Sequence, residues 1–214
     1  MKNIIRVSNL SKLIDDRVLF DDVNLVVPDG TICCLMGGNG VGKSVFLDCL
    51  LGFQPINSGK IFINEIDVND RVRIRKHTGI VSPDHQEALK LLRPTEYFEI
   101  IIEIYNLKNS EKKIDYLIDI LSVTELIDTA FSNLSFGSKK KIQLIGTLLY
   151  NPQLLVCDEI FEGLDEESIE AVKEVFKERK KQGLSTLFTT HIKHEARDIM
   201  DYTLLLKNQK IVEA

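Results

Sequence analysis

The run Gly37-Gly38-Asn39-Gly40-Val41-Gly42-Lys43-Ser44 fits the pattern G-x-x-x-x-G-K-[ST] and follows five apolar residues, Ile32-Cys33-Cys34-Leu35-Met36. A strand running into a glycine loop, and from there into a helix over residues 44–51, is the context this pattern needs. Glycines let the backbone curl with its N–H groups inward; those groups, and the positive end of the following helix, hold phosphate oxygens. In that arrangement Lys43 reaches the β and γ phosphates, and Ser44 is placed to ligate Mg²⁺ through its hydroxyl. The candidate nucleotide-contacting set is Gly37, Gly38, Asn39, Gly40, Val41, Gly42, Lys43, Ser44 and Val45.

Short apolar runs recur at residues 61–63, 79–81, 154–157, 186–189 and 203–206, with helical patterns between several of them. Residues 166–181 place Ile169, Val172, Val175 and Phe176 on one helical face with charges opposite, and Gly183 is a natural stop. Apolar strands alternating with amphipathic helices imply an α/β fold with a mostly parallel central sheet. The stretch from 93 to 133 differs, because it holds helical patterns without an obvious strand. Pro94 and Thr95 suit a helix start before residues 96–105, and a second helix covers 111–121. This predicts a single domain over 1–214 with a helical subdomain at about 93–150. From Tyr97 to Tyr105 apolar residues surround most of the circumference, which leaves a buried helix, an exposed docking patch and a strand all open.

With 214 residues, 44% of them hydrophobic, the chain can bury a substantial core. A net charge of -5 gives no broad basic field, so nucleic acid is an unfavoured partner. Ile4-Ile5-Arg6-Val7 alternates like a strand rather than a signal peptide, and nowhere do about 18 apolar residues run uninterrupted, so a soluble intracellular chain is expected. Cys33, Cys34, Cys49 and Cys157 show no C-x-x-C spacing and read as small buried hydrophobes of a reducing compartment. His191 and His194 stand at i, i+3 but lack a third metal ligand.

Leu154-Leu155-Val156-Cys157 is an apolar strand ending in Asp158 and Glu159. Beside a phosphate loop, Asp158 can hold Mg²⁺ and Glu159 can orient or deprotonate an attacking water. Leu134-Ser135-Phe136-Gly137-Ser138 precedes three lysines and a helix-like run over 142–150; by itself it reads as a serine cap before a helix with a solvated lysine cluster.

Together these segments resemble the ATP-binding cassette (ABC) family across almost the whole chain. GGNGVGKS looks like its Walker A motif, LSFGS its signature, LLVCDE its Walker B motif, Gly163-Leu164-Asp165 its D-loop and His191 its switch histidine. The resemblance implies a P-loop NTPase core with a mostly parallel central sheet, an antiparallel N-terminal β subdomain and a helical insertion. It also implies an ATPase in which Lys43, Glu159 and His191 are catalytic, Ser44 and Asp158 hold Mg²⁺, and Ser135, Gly137 and Asp165 contact ATP across a head-to-tail dimer. Partners would be membrane-spanning transporter subunits and a second ABC ATPase, identical or different, which would place the chain in the cytoplasm on the inner face of the membrane.

Several positions depart from the family pattern. Ile14 stands where an aromatic ring usually stacks on adenine, and Pro83 stands at the Mg²⁺-linked glutamine, with Gln86 three residues on. Phe136 and Ser138 replace a glycine and a glutamine of the signature, and Ile160 a proline after the acidic pair. Hydrolysis is expected to persist, slowly. The leading expectation is the ATPase subunit of an ABC transporter; the lack of a long C-terminal extension leans its direction toward export. The alternatives are a soluble ABC-type ATPase acting on ribosomes or DNA, and a binding-only cassette paired with an active one.

Overall fold

Residues 2–82, 89–190 and 196–214 are described by the computed structural model. Strand β1 (Asn3–Ile14) turns at Asp15 and Asp16, both at positive φ (47° and 62°), and returns antiparallel as β2 (Arg17–Pro28). Positive φ at both turn positions matches the twist of the flanking strands, and aspartate tolerates it. Strands β4 (Ser58–Ile63) and β5 (Ile66–Asp67) extend this layer in the order β2-β1-β4-β5, antiparallel throughout.

The second sheet runs β10-β9-β3-β8-β7-β6. Its members are β3 (Ile32–Met36), β6 (Thr78–Val81), β7 (Leu154–Cys157), β8 (Ser185–Thr189), β9 (Tyr202–Lys207) and β10 (Lys210–Glu213). All neighbours pair parallel except β10 on β9. All five residues of β3 are buried, as a parallel strand covered on both faces requires. Alternation sends Cys33 and Leu35 into a core shared with Phe20 and Ile61 of the antiparallel sheet and Phe46 of α1 (Lys43–Leu50). Cys34 and Met36 face a second core, filled by helices on the opposite side. Helix α2 (Arg71–His77) links the sheets; α3 (Pro94–Tyr105), α4 (Glu111–Ile120), α5 (Phe136–Leu149) and α6 (Glu166–Lys181) cover the far face.

The helix ends follow from their sequences. Asp165 caps α6 by accepting from Ser168 N–H, with Glu166 and Glu167 in the first turn and Arg179 to Lys181 in the last. Gly183, at φ 74°, closes it, Leu184 N–H donating to Arg179 O. In α3, Pro94 opens the helix and Glu96 accepts from Arg93 N–H, which decides for helix over strand. That helix is neither wholly buried nor wholly free: Phe98 is in the core, while Ile104 is 68% exposed. The lysines 139–141 are helical, since α5 starts at Phe136 rather than at Ile142 as the pattern suggested.

Two ties bind the helices to the sheet. The rings of Tyr105 and Tyr150 stack at 3.8 Å and 4°, and their hydroxyls donate to Arg75 O and Thr78 O. Buried Arg179 donates to Pro152 O and Ser185 O, joining α6 to the starts of β7 and β8. All four cysteines are buried free thiols, and burial pushes Cys49 up to about 11. Among the described residues no helix is long and apolar enough to cross a membrane.

Candidate active site

Parallel pairing places the ends of β3, β8 and β7 side by side, so the loop after Met36 and the acids after Cys157 emerge at the same edge. In open parallel sheets that edge is where ligands bind. The loop ends at Gly42, φ 108°, from which α1 begins, and Phe46 N–H donates back to Gly42 O at 2.9 Å. No acidic residue sits in the first turn of α1, which leaves its positive end free for an anion. Lys43 is 7% exposed; its Nζ donates to Gly37 O and Gly38 O at 3.0 and 3.3 Å and lies 3.5 Å from Glu159 Oε1.

A cleft of about 360 Å³ opens here, lined by Leu19, Asn39, Gly40, Gly42, Lys43, Ser44, Val45 and Glu159. The predicted loop set therefore divides. Asn39, Gly40, Gly42, Lys43, Ser44 and Val45 face the cleft, whereas Gly37 and Gly38 act through the carbonyls that hold Lys43. Gly37 also must lack a side chain, because a Cβ there would come within 2.9 Å of Leu206 O. Val41 packs against the first core.

Asp158 is 7% exposed, and its N–H donates to Val81 O. The Thr189 hydroxyl joins the two acids: it donates to Asp158 Oδ1 at 2.6 Å and accepts from Glu159 N–H at 2.7 Å. Glu159 itself has φ 47°, a left-handed value uncommon outside glycine, asparagine and aspartate. Ser44 lines the cleft, while Asp158 is not in its lining but directly precedes Glu159, which is; a hydroxyl and a carboxylate are oxygen donors of the kind a hard cation such as Mg²⁺ takes.

The other predicted residues lie elsewhere. Ser135 caps α5, its Oγ accepting from Ser138 N–H at 3.1 Å. Gly137 sits on the turn at Gly163: a Cβ on it would fall 2.4 Å from Gly163 O. The backbone hydrogen bond from Ser168 holds the Asp165 carboxyl below its usual range. None of Ser135, Gly137 and Asp165 lines the cleft that holds Lys43. His191 and His194, like Pro83 and Gln86, fall outside the described residues. Ile14 is half-buried against the first core and not in the lining; Leu19, one strand over, takes that place.

A family model described as ABC transporter matches residues 20–162. An uncharacterised ABC transporter ATP-binding protein of Methanocaldococcus jannaschii is 28% identical, over 99% of this chain and 77% of its own length. The methionine import ATP-binding protein MetN of Histophilus somni is 26% identical over 100% of this chain, which spans only 63% of that longer relative. A solved structure of an ATP-binding subunit of an ABC transporter superposes with a TM-score of 0.89 at 25% identity, covering 99% of this chain and 89% of its own. With the phosphate loop and the paired acids at one sheet edge, the chain belongs to the ABC transporter family, a family of ATPases, as an ATP-binding subunit.

Proposed function

We propose that the chain hydrolyses ATP to ADP and phosphate at this cleft and drives membrane-spanning subunits carried on other chains. The observation that carries the reading is the approach of Glu159 to Lys43, 3.5 Å apart at the mouth of the phosphate loop. Lys43 exchanges its Gly37 and Gly38 carbonyls for the β and γ phosphate oxygens, while the loop amides and the α1 N-terminus take the rest of their charge. Ser44 and Asp158 would hold Mg²⁺, which would supply charge neutralisation on those phosphates. Glu159 then lies beside the γ-phosphate and orients or deprotonates the attacking water; Thr189 keeps both acids in place. Leu19 and Val45 give the cleft its apolar wall.

Because Ser135 and Gly137 do not reach their own Lys43, a second cassette, identical or different, supplies them head to tail. Asp165 lies at the junction between the two cassettes. The membrane partners hold the dimer at the cytoplasmic face. The import named for the methionine relative turns the direction from the expected export toward import.

Phosphate release at saturating Mg²⁺-ATP, wild type beside Glu159→Gln, tests the chemistry. The variant is expected to bind ATP and lose about 10²- to 10⁴-fold in turnover, the range for a general base. Wild-type turnover in Glu159→Gln would sink the assignment, and failure to co-purify with any membrane protein in detergent would sink the transport role.

A further inference from the structure

Lys140, on the second turn of α5, is 0% exposed, and a lysine is almost never fully buried without partners. Its Nζ donates to the main-chain carbonyls of Glu159 and Glu162, the latter at 2.9 Å. The Phe136 ring covers the ammonium, 4.2 Å from Nζ to centroid, and Glu162 Oε2 stands 4.0 Å away. Phe136 and Lys140 therefore act as a pair, the ring one turn before the charge it shields.

What this pair grips is the turn that carries Glu159. A left-handed backbone at a glutamate persists only where its surroundings hold it. Three main-chain bonds hold it here: the Glu159 amide donates to Thr189 Oγ1, and the Glu159 carbonyl accepts from Lys140 Nζ and, at 3.2 Å, from Glu162 N–H. Without Lys140 the carbonyl keeps only the 3.2 Å bond from Glu162 N–H, so the left-handed turn that aims the carboxylate at Lys43 is held less firmly.

We propose that Lys140 is a positioning residue for hydrolysis, fixing the Glu159 carbonyl so that its carboxylate stays directed at Lys43; this rests on Glu159 being the base. The same contact ties the helix that follows Ser135 to the acidic turn of its own chain.

The test uses four full-length proteins: wild type, Lys140→Met, Glu159→Gln and the double variant. Thermal midpoint, ATP dissociation constant and single-turnover ATP cleavage are measured on each. Lys140→Met is expected to slow cleavage about tenfold or more, to leave ATP affinity within about threefold, and to cost nothing further in the Glu159→Gln background, because residues acting as a unit are non-additive. Equal slowing in both backgrounds, or parallel loss of ATP affinity, marks a merely structural lysine and overturns the proposal. Unchanged cleavage in Lys140→Met with a slow Glu159→Gln overturns it alone; unchanged cleavage in Glu159→Gln overturns the reading beneath it. Should Lys140→Met not fold, Lys140→Gln, a shorter neutral donor, is expected to cleave at an intermediate rate with affinity unchanged, and wild-type cleavage in it overturns the proposal.

Discussion

Thr189 carries more of the site than its residue type suggests, since one hydroxyl serves as donor to Asp158 and acceptor for Glu159. Thr189→Val keeps the shape and removes both bonds at a position 0% exposed. Leaving the two groups short of these partners is expected to cost about 1–3 kcal/mol, read as a lower urea midpoint, and to reduce turnover further than the stability loss explains. Full turnover in that variant would show that the acids hold themselves. Sequence alone singles out Lys43, Ser44, Asp158 and Glu159 as candidates, because each follows an apolar strand within a recognisable motif. It does not identify Thr189, which reads as an ordinary β-branched strand residue. Nor does it reveal Leu19, whose place at the cleft depends on how β2 lies against the loop. Lys140 is misread for the same reason: a lysine among lysines looks solvated until packing shows which one points inward.

At the scale of elements, α5 is held at both ends by lysines. Lys140 grips the acidic turn near its start, and Lys113 of α4 donates to Leu148 O at 2.6 Å and to Asn151 Oδ1 at 2.5 Å at its end. Burial, with the Arg179 charge acting the same way, lowers the Lys113 ammonium from 10.5 to about 8. The folded chain therefore gives up this proton near pH 8 while the unfolded chain keeps it to about 10.5, so its contribution to stability grows as pH rises through that window and is lost as pH falls through 8. Urea unfolding at pH 7 and pH 9.5 is expected to show wild type gaining stability relative to Lys113→Met at the higher pH. A constant difference would refute the lowered value. Some helix ends were legible: α6 shows its Gly183 stop and α3 its Pro94 start, whereas Asp165 reads in the sequence as a nucleotide contact and not as the cap of α6. For α5 the serine cap was legible and Ser135 supplies it, but Phe136-Gly137-Ser138 has loop-like composition, so the helical run reads as beginning only at Ile142. The short strand β5 and helix α2 carry too few residues for a period to show.

For the whole molecule, the separation of Ser135 and Gly137 from the Lys43 cleft sets a complementation experiment. Glu159→Gln and Ser135→Arg are each expected to be inactive alone. Mixed one to one, half the dimers combine the two chains, and one site in each such dimer draws an intact cleft from one chain and an intact signature from the other. Recovery of about a quarter of wild-type turnover follows, and no recovery would place each site within a single chain. The layered architecture was legible from apolar runs alternating with helical faces, since that rhythm permits little besides a covered parallel sheet. Which strands adjoin was not, because adjacency is fixed by long-range pairing such as β3 with β8.

The tyrosine stack between α3 and the end of α5 gives this chain a built-in optical gauge. The sequence contains no tryptophan and five tyrosines, so above the phenylalanine absorption its near-ultraviolet signal comes from phenols. Two of those five lie face to face across the joint between helices and sheet, Tyr105 anchored by its hydroxyl to Arg75 O of α2 and Tyr150 to Thr78 O of β6. Any tilt of α3 away from β6 on nucleotide binding separates the rings, and the exciton-coupled circular dichroism of the pair is expected to change without any label attached. A Tyr105→Leu variant, lacking one ring, should show the ATP-dependent signal abolished.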